Sequence, residues 1–545
     1  MMARILLLVI LISFFGDVSA QKADKKTGKI GYKFKMQGAR HKFLTDGNVR
    51  AALNTYRELL KDFTNDAMLN YRIAECHLTM KNYDLAVEYF QNARRIDAEV
   101  DDELNLKLGE AYHYNNQLDK SLEAYKLYSS TASKKDKAYY EITNRIAGVD
   151  YAKKMISVPV KVKIENLGKK INSKGGDYAP SISADGRTMI FTSRRSDTKG
   201  GGVDKASDFK YFEDIYIAEW DTINNAWNKA RPIDGKLNTD GHDASLSISP
   251  DGKKIFIYRN DGKLYIGDVF VSKIRSSGSW GAPKALDKPI NTSYFESSAC
   301  LSADGNKLYF VSEKEGKKYG AQGSGDIYVA EKVTKSTWGE PKNLGPIINT
   351  PGDEISVFIH PDGKTLFFSS NGHLSIGGLD IFMSKMQEDG TWSKPENLGY
   401  PINTINDDVH FVLSIDGKTA HYSAIKKSGM GERDIYKIDL SEYPILSEGV
   451  AVNLSIFKGN VIDGKDKIAA DIEFKDATGK VVAKTTSDDD GNFFITLAGS
   501  KKYTMKVSAE GYKLISKEIN LGAGKSGKTH IQKEDINIEK AVGVE

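Results

Sequence analysis

The sequence predicts a multidomain chain: α-helical repeats, then a five-bladed all-β propeller, then a small β-sandwich. Three observations predict it. Small and aromatic residues recur at spacings of 34 and 35 residues within 30–156. A Ser/His-x-Asp-Gly turn followed by Asp-Ile/Val-Tyr/Phe recurs five times within 158–441. Short strand-like runs separated by Gly, Asn and Asp turns fill 452–521.

The first twenty residues stand apart. Arg4 precedes an apolar run, Ile5 to Phe15, and Val18-Ser19-Ala20 offers small residues for cleavage before Gln21. This reads as a signal peptide over 1–20. The run is too short for the roughly 20 apolar residues a membrane-spanning helix needs. No later stretch is longer and more apolar, so no direct membrane span is expected. The 545 residues carry 77 basic and 73 acidic side chains, a net charge of +4. That balance gives nucleic acid no electrostatic footprint. Cys76 and Cys300 lie in different predicted domains among apolar neighbours, as buried free thiols do.

In the helical part, Ala52, Ala86 and Ser121 each follow an apolar residue by three positions: Val49, Tyr83 and Leu118. Each precedes an aromatic by four: Tyr56, Phe90 and Tyr125. Ala74 and Gly109 repeat at 35. Small residues let paired helices approach, and the aromatics fill the groove between them. The pattern resembles tetratricopeptide (TPR) repeats, clearest over 66–97 and 101–128, with an earlier repeat whose first helix falls within 31–45. A further helix over about 135–155 is expected to cap the stack. By the geometry of such repeats, Tyr71, Glu75, Glu110, His113 and Tyr114 would point to a concave face. That face either binds a peptide or belongs to a docking spacer.

The five Asp-Gly turns end at Gly186, Gly252, Gly305, Gly363 and Gly417, with 66, 53, 58 and 54 residues between them. Asp-Gly suits the positive φ angles of a tight hairpin. A third repeated part carries a Trp, a Pro and an Asn-Thr, as in Trp338, Pro341, Asn349-Thr350. Pro fits an outer strand that pairs on one side only. Units of this length read as propeller blades. The longest interval holds the Gly-rich insertion Lys199–Gly202. The fifth unit lacks its third part, and Leu167, Ile171, Asn172 and Ser173 match Leu344, Ile348, Asn349 and Thr350. Residues 158–167 are therefore expected to supply the outer strand of blade five and close the ring. The motif set resembles the WD40-like, TolB-type propeller repeat (PD40).

The run Asp490-Gly-Asn-Phe-Phe494, then Tyr503 and Gly511-Tyr512, resembles the carboxypeptidase regulatory-like domain, a transthyretin-like β-sandwich without peptidase chemistry. Residues 522–545 read as a polar tail. Within them, 522–529 satisfies the P-loop pattern, but a P-loop needs a strand before it, a helix after it and a parallel sheet. A basic loop is expected there instead. No Gly-x-Ser-x-Gly elbow and no His-Glu-x-x-His occurs. No catalytic residue, metal site or cofactor is assigned, and no enzyme is expected.

The order of helical repeats, PD40-type propeller and regulatory-like domain behind a signal peptide resembles the PorE-like periplasmic proteins of type IX secretion and gliding systems. The resemblance implies a non-catalytic scaffold or adaptor in the periplasm, associated with the outer membrane. It implies as partners an outer-membrane β-barrel protein of PorP/SprF type and other envelope proteins. Relatives of that type carry an OmpA-like domain after the sandwich. This sequence shows none, and peptidoglycan binding is not expected. A second reading is a binding protein holding a glycan or peptide in the propeller channel.

Overall fold

The computed structural model describes residues 28–204, 209–259, 267–334, 337–446, 454–522, 524 and 529–541. The expected signal peptide and most of the P-loop-like run lie outside the described residues. The chain divides into two compact units between Asp136 and Lys137. Among the described residues there are eight α-helices, none long and apolar enough to cross a membrane.

The first unit is helical. Lys29–Leu44, Val49–Asp62, Ala67–Thr79, Tyr83–Ile96, Leu104–Tyr114 and Leu118–Thr131 form three helix–turn–helix pairs, each helix packing on the next. The repeated small residues sit where helices meet. Ala52, Ala86 and Ser121 are fully buried, and Ser121 Oγ donates to Gly109 O at 2.7 Å. A Cβ at Gly109 would lie 2.6 Å from the Tyr125 ring, so a side chain there would push the two helices apart. Tyr56, Phe90 and Tyr125 fill the grooves. Asp66 and Asn48 cap their helices by accepting the N–H groups of Leu69 and Ala51.

The second unit is rich in antiparallel sheet. Five sheets follow one another along the chain, each beginning with an inner strand: Asp177–Ile182, Asp243–Ile248, Glu296–Leu301, Glu354–Ile359 and Val409–Leu413. Neighbouring inner strands contact one another, and the fifth contacts the first. A register shift in each, between Tyr178 and Ser181 in the first, re-aims the side chains midway. Four sheets end in outer strands of two residues: Arg231–Pro232, Lys284–Ala285, Lys342–Asn343 and Glu396–Asn397. In the fifth, Lys163–Asn166 pairs with Asp434–Asp439, Lys163 opposite Asp439. A segment preceding the first sheet thus completes the last one.

The helix Ile142–Ser157, expected to cap the helical repeats, instead belongs to the second unit. Its C-terminal end and the chain after it reach the loop that follows the fourth sheet. Met155 Cε and Val160 Cγ1 pack over Gly399, and Val160 N–H donates to Tyr400 O at 2.7 Å.

The C-terminal strands form two further sheets. One orders Val481–Thr486, Asp471–Lys475, Lys501–Ser508 and Ile515–Leu521; the other centres on Leu454–Asp463, paired with Asn492–Ala498. Phe457, Phe474, Phe493, Tyr503 and Met505 share their core. Part of the expected polar tail is also strand. His530–Lys533 and Ile536–Asn537 run parallel to Leu454–Asp463. The reason is local: Ile536 and Ile538 alternate with polar residues and bury one face in that core.

Candidate functional site

The five residues expected on the concave helical face separate into two groups. Tyr71 is 1% exposed, and its hydroxyl donates to Asp101 Oδ1 at 2.9 Å. Glu75 is 4% exposed and sits among three cations: Arg72 at 2.6 Å, Arg40 at 2.9 Å and Lys107 at 3.2 Å. These two hold the repeats together. Glu110, His113 and Tyr114 are half-buried at the surface. There Tyr114 stacks between His113, at 5.5 Å, and Tyr83, at 5.1 Å between centroids. Arg40 and Lys107, not foreseen, come from the helices of the neighbouring pairs; Arg40 stands one repeat before Glu75, but Lys107 is off the repeat spacing and had no signal in the sequence.

In the β-rich unit the repeated motifs hold main chain. The Asn of each Asn-Thr or Asn-Ser clamps one residue of the neighbouring strand, accepting from its N–H and donating to its C=O. Asn238 holds Ile215 at 2.8 and 3.0 Å, Asn291 holds Val269 at 2.9 and 2.9 Å, and Asn349 holds Ile327 at 2.8 and 3.0 Å. Asn403 holds Ile381 at 2.8 Å in both bonds, and Asn172 holds Ile435 at 2.9 Å in both.

A carboxylate opens four inner strands, Asp177, Asp243, Glu296 and Glu354, and Asp408 directly precedes the fifth. Each accepts from the N–H and hydroxyl of the Ser or Thr four residues earlier, Thr350 with Glu354 at 2.8 and 2.6 Å for example. Arg195 meets Asp177 at 2.6 Å and Arg259 meets Asp243 at 2.8 Å. Burial raises Glu296 and pushes Asp408 up to about 7, with Lys314 and Lys426 opposing the rise only in part. The position held by Arg195, Lys314 and Lys426 is Gly372 in the fourth sheet. Burial, only partly offset by Thr350 and Ser370, pushes Glu354 up to about 7.

Near the start of the inner strands, Glu213 accepts from the Tyr178 hydroxyl and lies 3.1 Å from His242 Nδ1. His242 Nε2 lies 3.2 Å from Asp204. Burial works to raise Glu213, but the hydrogen bonds from His242 and Tyr178 outweigh it and hold its carboxyl low. Contact with Glu213 raises His242.

At the other end, the Ser/His-x-Asp-Gly turns meet the C-terminal sheets. Thr496 Oγ donates to Pro361 O at 2.6 Å, Lys458 lies 3.6 Å from Asp185, and Ile456 and Phe494 pack on Ala184 and Ile415. A cavity of about 640 Å³ opens here. Trp220, Trp227, Phe358, Leu413, His421 and Ile531 line it. Among the described residues no three His, Cys, Asp or Glu side chains gather as metal ligands do. Both cysteines are free and buried, and burial pushes each thiol up to about 12.

No family model matches this chain, and no curated protein matches it. Solved structures resemble parts of it. The Yersinia enterocolitica type III secretion chaperone SycD, in complex with a peptide of the translocator YopD, is 14% identical over 24% of this chain and 99% of its own, with a TM-score of 0.22. The second TPR domain of human RPAP3, in complex with an HSP70 peptide, is 13% identical over 21% of this chain and 92% of its own, with a TM-score of 0.19. The catalytic domain of the Coprinopsis cinerea GH62 alpha-L-arabinofuranosidase is 11% identical over 52% of this chain and 98% of its own, with a TM-score of 0.34.

Proposed function

We propose that this chain is a non-catalytic scaffold of an outer-membrane assembly, acting in the periplasm. In this reading the helical pairs are TPR-type repeats, the five sheets are blades of a propeller, and the C-terminal sheets are a transthyretin-like sandwich. The observation that carries it is the use of the repeated polar residues. Five Asn side chains clamp backbone and five carboxylates tie down the turns before the inner strands, so the motifs serve a rigid frame. A frame of interaction modules is what an adaptor needs. The PorE-like order of modules supports a PorP/SprF-type barrel as partner. Affinity purification from native membranes in mild detergent tests this. A stoichiometric barrel protein is the expected companion; turnover of a substrate abolished by one point substitution overturns the non-catalytic reading.

The cavity favours a second reading, in which the chain binds a glycan or peptide at the mouth of the propeller channel. Its volume lies within the roughly 300–1,000 Å³ of small-molecule pockets. A monomer that purifies with a small ligand and without a barrel supports this reading over the first.

A further inference from the structure

We infer that the turn end of the second and third sheets holds a site for a phosphate-type oxyanion, built by Lys254, Lys273 and Lys332. The inference rests on neither reading above. Lys254 and Lys273 stand directly opposite each other on paired strands, Lys254–Arg259 and Asp268–Lys273. Directly opposed residues have Cβ atoms about 5 Å apart, and like charges placed so repel. The other sheets avoid this at the same positions. Their pairs are Thr188 with Glu219, Lys307 with Glu331, Thr365 with Lys385 and Thr419 with Asp439, and Lys307 reaches Glu331 at 3.2 Å. Lys332 departs from the repeat as well. Its N–H donates to Asn306 O, and the matching N–H groups belong to Trp220, Ile274, Met386 and Leu440. Four sheets thus keep an apolar side chain where the third puts an ammonium. That ammonium lies over Trp338, 5.5 Å from the ring centroid.

All three lysines line one cavity of about 560 Å³ between the turns and the C-terminal sheets. Lys254 and Lys332 are half-buried, and Lys273 is exposed. Among the described residues no carboxylate pairs with any of the three ammonium groups. Asp251 and Asp304 share the cavity, but each accepts from the hydroxyl of its own turn, Ser249 and Ser302. Burial, then repulsion from Lys254 and Lys273, push Lys332 down to about 8; Asp304 and Asp251 oppose this and count for less. The field at that ammonium is therefore positive. A dianion with three equivalent oxygens answers three ammonium point charges, whereas a carboxylate has two oxygens and suits the fork of arginine. Asp488, Asp489 and Asp490 line the same cavity and repel a polyanion, so a single oxyanion group fits.

The test is calorimetry on the full chain with inorganic phosphate, with acetate at equal ionic strength as control, and co-sedimentation with phosphatidylcholine vesicles carrying phosphatidic acid. Two variants suit the fold because the repeat already uses them. Lys332→Met supplies the residue of the fourth sheet, and Lys273→Glu supplies the pair of the third. The expected result is saturable phosphate binding, weakened about tenfold by each variant and unchanged by Lys385→Met in the fourth sheet. Phosphate should raise the melting temperature of the parent and leave that of both variants unmoved. Vesicle binding without phosphate binding, lost in both variants, supports the same site and assigns the oxyanion to a lipid headgroup. Acetate bound as tightly as phosphate, or binding equal in the parent and both variants, overturns the site. Absence of binding to phosphate and to vesicles overturns it too, and leaves the lysines answering only the acidic turn at 488–490.

Discussion

The side-chain amide of Asn172 grips both backbone groups of Ile435, a residue 263 positions further along the chain. In three other sheets the same clamp spans 22 residues. Asn172 is 3% exposed, so both bonds are made out of water. It sits beside the strand Lys163–Asn166, which completes the fifth sheet. Asn172→Ala should therefore destabilise the β-rich unit by about 2 kcal/mol, the loss expected when buried backbone groups lose their partner. Asn172→Asp should be worse at pH 8 than at pH 4, because the ionised carboxylate can no longer donate to Ile435 O. Urea unfolding of the full chain, read at the β-rich transition, checks both. A loss below about 0.5 kcal/mol for the alanine variant would mean that the closing strand holds without its clamp.

Glu354 supplies a pH dependence of definite sign. Its folded carboxyl is raised by burial to about 7 from an ordinary 4.5, and Asp380 and Asp408, also buried, are raised to about 8 and about 7. Between the ordinary and raised values the folded unit holds protons that the unfolded chain has released. Stability falls as pH rises through that window, and the whole penalty is present above the folded values. The β-rich unit should thus melt higher at pH 5.5 than at pH 8. Glu354→Gln keeps an acceptor for Thr350 and Ser370 and removes the charge, so it should raise the melting temperature at pH 8 and flatten the profile. A variant that melts lower than the parent at pH 8 would show that Glu354 is ionised at little penalty.

Much of this frame was legible in the sequence, for a physical reason. A motif used five times to satisfy the same backbone groups repeats in the chain, and Leu167, Ile171, Asn172 and Ser173 could be matched to Leu344, Ile348, Asn349 and Thr350. The clamps themselves were not legible, because each partner is an ordinary Ile or Val 22 or more residues away. The strands His530–Lys533 and Ile536–Asn537 have no second copy and carry few apolar residues, so they read as polar chain. On the helical unit, repeat spacing found the face but not the depth. Tyr71 and Glu75 lie beneath the surface because Asp101, Arg40 and Lys107 come from neighbouring pairs to cover them. Trp220, Trp227 and His421 meet only because the first and fifth sheets lie side by side, which no local pattern encodes.

The histidines of the β-rich unit should titrate far apart. His242 lies between Glu213 and Asp204 and is raised above its ordinary 6.5. Its contribution to stability is fully present below 6.5 and is lost as pH rises through the folded value. His410 and His421 are held near 3, by burial first and then by Arg433 and Lys437 respectively. Imidazole nitrogen shifts measured by NMR should show His242 charged at pH 6 and the other two neutral down to pH 4. Titration of His421 near 6 would mean that water reaches its Nε2 freely.

Glu75 draws the sharpest prediction for the helical unit. Its carboxylate is 4% exposed, while Arg40, Arg72 and Lys107 around it are 31%, 18% and 25% exposed. Replacing a whole buried charge network by apolar residues is often neutral, but removing one member leaves the others uncompensated. Glu75→Leu leaves three cations from three helices facing one another and should destabilise the helical unit by about 3 kcal/mol. Glu75→Gln keeps the shape and the acceptor, and should fall between the two. The loss should shrink when Arg40 is also changed to Leu, since one repulsive partner is then gone. Circular dichroism at 222 nm during thermal unfolding reports this unit, which holds most of the helix. A Glu75→Leu chain as stable as the parent would show that the cations separate into water at no penalty and that Glu75 does not hold the repeats together.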